Sequence, residues 1–129
     1  LLLTKGNIYQ FKLNNLKECE QCYLDALNYK KQINDVLGSA KCNQFLGLLY
    51  YTVASDLKKR NDNEHTYSTK SNLEKALACY DEAYKLASKI EDKAGIVEAV
   101  KGIGNCHLEL DNHDEAIKHF EKSAQRAVE

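Results

Sequence analysis

The chain has 129 residues but contains no proline and only six glycines. Proline breaks helices, and proline and glycine together mark most tight turns, so their scarcity disfavours a β-rich fold with many short connections. Long apolar runs are also missing, because no stretch approaches the roughly 20 consecutive apolar residues of a membrane-spanning helix. These absences predict an all-α fold without a membrane span.

The sequence also lacks a charge of one dominant sign. Its 18 basic residues nearly balance its 19 acidic residues, which leaves a net charge of -1. Nothing in this balance favours binding to nucleic acid or to an anionic membrane. The five cysteines are an odd number scattered along the chain, which argues against a secreted disulfide framework. We therefore expect a soluble, cytoplasmic chain with reduced thiols that forms one domain or a piece of one.

Internal repetition is the strongest pattern in the sequence. Residues of the first third recur 57 positions later, in the pairs Tyr23 and Tyr80, Ala26 and Ala83, Ile33 and Ile90, Asp35 and Asp92, Gly38 and Gly95, and Gly47 and Gly104. Between the middle and the end the offset is 40, as in Ala76 and Ala116. A unit of about 40 residues explains both offsets if the middle copy carries an insertion. The predicted units cover residues 1–34, 35–91 with an insertion near 55–72, and 92–129.

Capping residues divide each unit into a first helix, A, and a second helix, B. In the last unit they predict helix A from Lys93 to Leu110 and helix B from His113 to Val128. Asn112 precedes Glu115 by three residues, which is the capping-box pattern at the start of a helix B. The comparable pairs in the other units begin at Asn15 and Ser71.

Two further features concern the connections between helices. Asp35 and Asp92 each precede a helix A, where a carboxylate can accept a backbone N–H and suits the positive end of the helix dipole. Residues 55–72 are polar and rich in turn-forming types, so we expect a surface connection there, following a helix that runs past its usual end.

These positions resemble the tetratricopeptide repeat, in which small residues and aromatics alternate between two antiparallel helices. The residues that carry the resemblance are Gly6, Tyr9, Cys19, Tyr23 and Ala26 in the first unit, Leu46, Gly47, Tyr50, Ala76, Tyr80 and Ala83 in the second, and Ile103, Gly104, His107, Ala116, Phe120 and Ser123 in the third. The family unit has about 34 residues and a proline after helix B. A longer unit joined by an Ile-x-Asp-x-x-Gly link is similar to the repeats of Pins-type adaptors and of rapsyn.

The resemblance implies an α-solenoid of about three stacked helical hairpins in a right-handed superhelix, as part of a longer array. It also implies a non-enzymatic scaffold that binds a peptide or helix of a partner protein in a concave groove lined by A helices, without cofactor, nucleic acid or small-molecule substrate. The groove residues are Asn7, Gln10, Phe11, Lys41, Gln44, Leu48, Tyr51, Glu98, Lys101, Asn105 and Leu108. The alternative is a structural subunit of a ciliary or cytoskeletal assembly that docks through its convex face or the 55–72 insertion.

Cysteine and histidine raise the separate possibility of metal or redox chemistry. Cys19 and Cys22 form a C-x-x-C pair, but they lie on a helix without a second pair, and Cys19 is expected in the core. Cys106 and His107 are helix neighbours about 100° apart, so they cannot act as nucleophile and base. His107, His113 and His119 receive separate structural roles, and no metal site is predicted.

Overall fold

The computed structural model describes residues 5–59 and 66–128, with side chains described from 15 to 57 and from 69 to 125 except 123. Within these residues the chain forms helices and no strand. The helices are α1 (Lys5–Gln32), α2 (Val36–Lys59), α3 (Thr66–Lys89), α4 (Lys93–Glu109) and α5 (His113–Val128). None of them combines the length and apolar character needed to cross a membrane. The predicted all-α fold is confirmed, and α4 and α5 match their predicted bounds to within one residue.

Consecutive helices pack against one another along the chain, and α2 also contacts α4. The two helices run side by side in the same direction, because each later residue of α2 meets a later residue of α4. Near one end, Gln44 Nε2 donates a hydrogen bond to the Gly95 carbonyl at 3.0 Å. Near the other, the Tyr51 hydroxyl lies 3.5 Å from Glu109 Oε1. Alternating helices therefore form two layers, which is the arrangement of a helical solenoid.

The ring of Tyr80 on α3 lies between glycines of α2 and α4. A Cβ atom at Gly47 would lie 2.9 Å from this ring, and a Cβ atom at Gly102 would lie 2.5 Å from it. Tyr80 is only 7% exposed as a result. In the last hairpin, a Cβ atom at Gly104 would lie 3.1 Å from the ring of Phe120. Glycines of α2 and α4 thus leave the space that an aromatic ring of the following helix fills.

Three turns between helices share one backbone conformation. Asn34, Glu91 and Asp111 have positive φ angles of 58°, 56° and 62°. In each turn this residue donates to the carbonyl three positions back, and the next residue donates to the carbonyl five positions back. This pair of hydrogen bonds is the Schellman motif, in which glycine is the usual left-handed residue. The chain therefore places a glutamate and an aspartate where a side chain carries a conformational cost.

We expect Glu91→Gly to raise the free energy of unfolding by about 1 kcal/mol, because glycine adopts the left-handed conformation without steric cost. Urea denaturation followed by helical circular dichroism would measure the change. Asn34→Gly is the matched control in the equivalent turn, and its effect should be smaller because asparagine tolerates this conformation. An unchanged or lower stability of Glu91→Gly would contradict the strain assigned to this turn.

The two aspartates before α2 and α4 differ in how they cap. Gly38 N–H donates to Asp35 Oδ1 at 2.8 Å, and Lys30 Nζ lies 3.3 Å from Asp35 Oδ2. This hydrogen bond, followed by the contact with Lys30, lowers the pKa of the Asp35 carboxyl. Asp92 has the extended backbone of an N-cap, but its side chain makes no capping hydrogen bond. Both cap positions are confirmed, and the side-chain cap is present at Asp35.

Helix α1 corrects the sequence interpretation of the first unit. A turn was expected just before Asn15, yet the helix continues unbroken through this residue. The reason is that residues 7–32 contain no glycine or proline to stop it. On this helix Cys19 is exposed, as is Cys22. The expectation that Cys19 is a core residue is therefore wrong.

The region of the insertion is also more helical than expected. Residues 55–59 extend α2, and residues 66–72 belong to α3, so Ser71 lies inside a helix and is not its N-cap. The absence of glycine and proline from residues 55–72 explains why both helices continue. Helix α2 has 24 residues against 17 in α4, which confirms that it runs past the usual end. Residues 60–65, the rest of the predicted connection, lie outside the described residues.

Candidate functional site

A cleft of about 520 Å³ lies between α2 and α4. Three of the predicted groove residues, Lys41, Gln44 and Glu98, line it. The two helices place these side chains together because α2 and α4 run in parallel, each presenting the same face. The hydrogen bond from Gln44 to the Gly95 carbonyl ties the helices together at the cleft. The side-chain amide nitrogen of Gln44 therefore holds α2 and α4 together at the cleft.

The charged side chains at the cleft have both signs. Lys41, Asp92 and Glu98 all line the cleft. Lys101 Nζ lies 3.9 Å from Glu98 Oε1, and both side chains are more than half exposed. An exposed pair of this kind contributes little to stability, so a bound ligand can displace it at small cost. The surface therefore suits a segment of mixed polarity better than a uniformly charged one.

The remaining predicted groove residues on α2 and α4 are apolar or neutral. Leu48 is 54% exposed and Leu108 is 40% exposed, which makes both available for an apolar contact. Asn105 of α4 is exposed as well. Tyr51 differs, because it packs against the buried cluster that contains Cys106, and burial raises the pKa of its hydroxyl. Tyr51 thus contributes to the core as well as to this face.

The predicted groove residues of the first unit are Asn7, Gln10 and Phe11. Their backbone belongs to α1, but their side chains lie outside the described residues. The structure therefore describes the predicted groove side chains of α2 and α4 alone. The contribution of α1 to the groove stays a prediction.

Two apolar residues of the cleft were missed by the sequence interpretation. Leu37 and Ile90 both line the cleft, and they are 42% and 39% exposed. Leu37 lies in the first turn of α2, and Ile90 lies in the turn before α4. The recurrence of isoleucine at Ile33 and Ile90 could have indicated that Ile90 has a role at the cleft. The segment around Ile90 was interpreted only as a connection between helices.

The buried cysteines are poor candidates for reactive groups. Burial raises the pKa of the Cys106 thiol to about 12 and that of the Cys79 thiol to about 11. Both thiols are therefore protonated near neutral pH, whereas a nucleophile or a metal ligand is a thiolate. Cys106, which has no exposed surface, is a packing residue of the core.

The histidines do not have the separate positions that were expected of them. The rings of His107 on α4 and His119 on α5 stack with centroids 5.4 Å apart and an angle of 7° between their planes. Burial, and then the nearby His107, lower the pKa of His119. The α4–α5 hairpin thus joins two residues that the sequence interpretation treated independently. His113 remains exposed at the start of α5.

Comparisons with known families agree with this architecture. Two family models described as Tetratricopeptide repeat match the chain, one over residues 65–127 and the other over residues 1–33. Searches of the curated proteins and of the solved structures found no match. The matched ranges contain α1 and nearly all of the segment from α3 to α5, and α2 pairs with both α1 and α3. With its paired helices and its repeated contacts between glycine and aromatic residues, the chain is a tetratricopeptide repeat protein.

Proposed function

We propose that this chain is a non-enzymatic scaffold that binds a peptide or helix of a partner protein on the face formed by α2 and α4. The observation that carries the proposal is the cleft between these helices, together with the exposed leucines beside it. Tetratricopeptide repeats are protein-interaction modules, and α2 and α4 of this chain lie in contact with a cleft between them.

The chemistry of this face defines the class of partner segment. Leu37 and Ile90 offer apolar contacts at the cleft, and Leu48 and Leu108 offer further ones along α2 and α4. Lys41 and Glu98 line the same cleft and offer one charge of each sign to a bound segment. The exposed amide of Asn105 can hydrogen bond to a peptide backbone. An amphipathic segment with spaced apolar anchors fits this pattern.

We also propose the finer organisation that the repeat pattern predicts. Units of about 40 residues, with boundaries near 34 and 91, are supported by the starts of α2 and α4 at Val36 and Lys93, which keep the sequence offset of 57. Such units are similar to the repeats of Pins-type adaptors and of rapsyn. A cytoplasmic adaptor is the setting that we propose, with Asn7, Gln10 and Phe11 of α1 extending the groove.

A peptide-selection experiment tests the binding face. Peptides selected from a displayed library on the immobilised chain would be synthesised, and their affinity measured by fluorescence anisotropy. We expect Leu48→Asp to weaken binding at least about tenfold, because a buried apolar anchor would then face a carboxylate. Ile117→Asp on α5 is the matched control, since Ile117 has the same 54% exposure as Leu48. Equal affinity of the wild type and Leu48→Asp would contradict the proposed face.

The same experiment addresses the alternative, a structural subunit that docks through another surface. A second cleft of about 220 Å³ lies between α1, α2 and α3, and its lining includes Tyr50, Asn72 and Lys75. It lies beside the extended ends of α2 and α3, where the insertion was predicted. A loss of binding in Lys75→Glu with full binding in Leu48→Asp would favour docking at this second cleft.

A further inference from the structure

Three potential metal ligands meet on the last helical hairpin. The ligand atoms of His107, Glu115 and His119 all lie within 4.8 Å of one another. His107 comes from α4, whereas Glu115 and His119 lie four residues apart on α5. Residues four apart on a helix point to the same side, so α5 alone aligns a carboxylate and an imidazole. The antiparallel packing of α4 on α5 then adds the third group.

The hairpin turn holds His107 in place. The N–H of Asn112 donates to the His107 carbonyl at 2.7 Å. The side-chain nitrogen of Asn112 lies 3.5 Å from His107 Nδ1. Turning this amide would place its oxygen against Nδ1, so that Nδ1–H donates and Nε2 is left as the ligand atom. A hydrogen bond to the other ring nitrogen is the usual way in which proteins orient a metal-binding histidine.

The neighbouring charges leave the cluster accessible to a cation. Lys118 Nζ lies 3.5 Å from Glu115 Oε1, but both side chains are at least half exposed. An exposed ion pair at this spacing is weak, so Lys118 can move away when a metal ion binds the carboxylate. The two imidazoles are half-buried.

We propose that His107, Glu115 and His119 form a binding site for a zinc ion that joins α4 to α5. Two imidazole nitrogens and one carboxylate oxygen are a known ligand set for zinc, with water in the fourth position. Their mixed nitrogen and oxygen chemistry does not suit magnesium or calcium, which prefer oxygen alone. The site is independent of the partner-binding face, because none of its residues lines the α2–α4 cleft.

Calorimetric titration of the chelator-treated chain with zinc chloride tests this site. We expect one ion to bind per chain, and His107→Phe and His119→Phe to weaken binding at least about 100-fold. Phenylalanine preserves a stacking ring and removes only the ligand nitrogens, so circular dichroism should show unchanged helix content. His113→Phe is the matched control, since His113 lies outside the cluster, and it should bind zinc as the wild type does.

Cobalt substitution distinguishes this site from the exposed thiols Cys19 and Cys22. A cobalt ion at His107, Glu115 and His119 should lack the intense charge-transfer absorption that thiolate ligands produce. Zinc should also raise the melting temperature of the wild type and of His113→Phe, but not that of His119→Phe. Absence of zinc binding, undiminished binding in a double His107→Phe, His119→Phe variant, or a thiolate absorption band would overturn the proposal.

Discussion

Gly102→Ala should lower the free energy of unfolding by about 1 to 2 kcal/mol, because overpacking a well-packed core costs up to about 3 kcal/mol and the helix preference of alanine recovers about 1 kcal/mol. Its new methyl group would lie 2.5 Å from the ring of Tyr80, a separation that real Cβ atoms do not adopt. The ring cannot simply move aside, because Gly47 of α2 is close to its opposite edge. Alanine is the better helix former by about 1 kcal/mol, and this offsets only part of the strain.

The size of this effect should follow the available space. Gly104→Ala is the matched control, since its methyl group would lie 3.1 Å from the ring of Phe120 and needs only a small adjustment. We expect this variant to stay within about 0.5 kcal/mol of the wild type once the helix preference of alanine is included. In the double variant Gly102→Ala, Tyr80→Leu, the two losses should be less than additive, because the smaller side chain removes the clash. Urea denaturation of all variants would measure these energies, and equal losses at Gly102 and Gly104 would contradict the packing described for Tyr80.

Leu46→Ala is expected to destabilise the chain by about 2 to 5 kcal/mol, the range for removing a large buried side chain. Leu46 is 1% exposed and belongs to a buried cluster with Leu27 and Cys42. Its loss leaves a cavity between α1 and α2, which should lower the denaturation midpoint and the cooperativity between these helices.

Leu48→Ala, two residues further along the same helix, should change stability by less than about 0.5 kcal/mol, because Leu48 is 54% exposed. It should instead weaken binding of selected peptides. Leu46 and Leu48 are two positions apart on one helix. Comparing the two variants therefore distinguishes the core face of α2 from its proposed binding face. A large loss of stability in Leu48→Ala, or a negligible one in Leu46→Ala, would show that α2 has a different rotation about its axis.

The sequence could predict features that repeat. Glycine and aromatic residues recur at a fixed spacing, and the structure joins them as Gly47 with Tyr80 and as Gly104 with Phe120. Capping aspartates recur as well, so Asp35 and Asp92 marked the starts of α2 and α4. Both kinds of signal are local, because they depend on a few residues within one or two turns of helix.

The sequence interpretation failed where a unit departs from its neighbours. The turn expected near Asn15 was inferred from the other units, yet nothing in residues 7–32 stops a helix. The same reason applies to residues 55–59 and 66–72, two parts of a segment whose polar composition suggested a loop. In both places a turn-like composition without glycine or proline proved compatible with continued helix, because exposed polar residues also suit the surface of a long helix.

Contacts between helices were the second kind of feature that local sequence patterns could not predict. Gly102 touches Tyr80 of the preceding hairpin, so its role depends on how the units stack. His107 and His119 meet only because α4 and α5 pack side by side with a specific register. Neither contact follows from the spacing within a single helix. Leu37 and Ile90 were missed at the cleft for the same reason.

Chemical-shift mapping is the most direct measurement of where the partner segment binds. The ¹⁵N-labelled chain would be titrated with a selected peptide, and the amide shifts followed to saturation. We expect the largest shifts along residues 37–51 of α2 and 90–108 of α4, centred on Lys41, Leu48 and Glu98. Saturable shifts confined to the second cleft, between α1, α2 and α3 and around Tyr50 and Lys75, would contradict binding on the α2–α4 face.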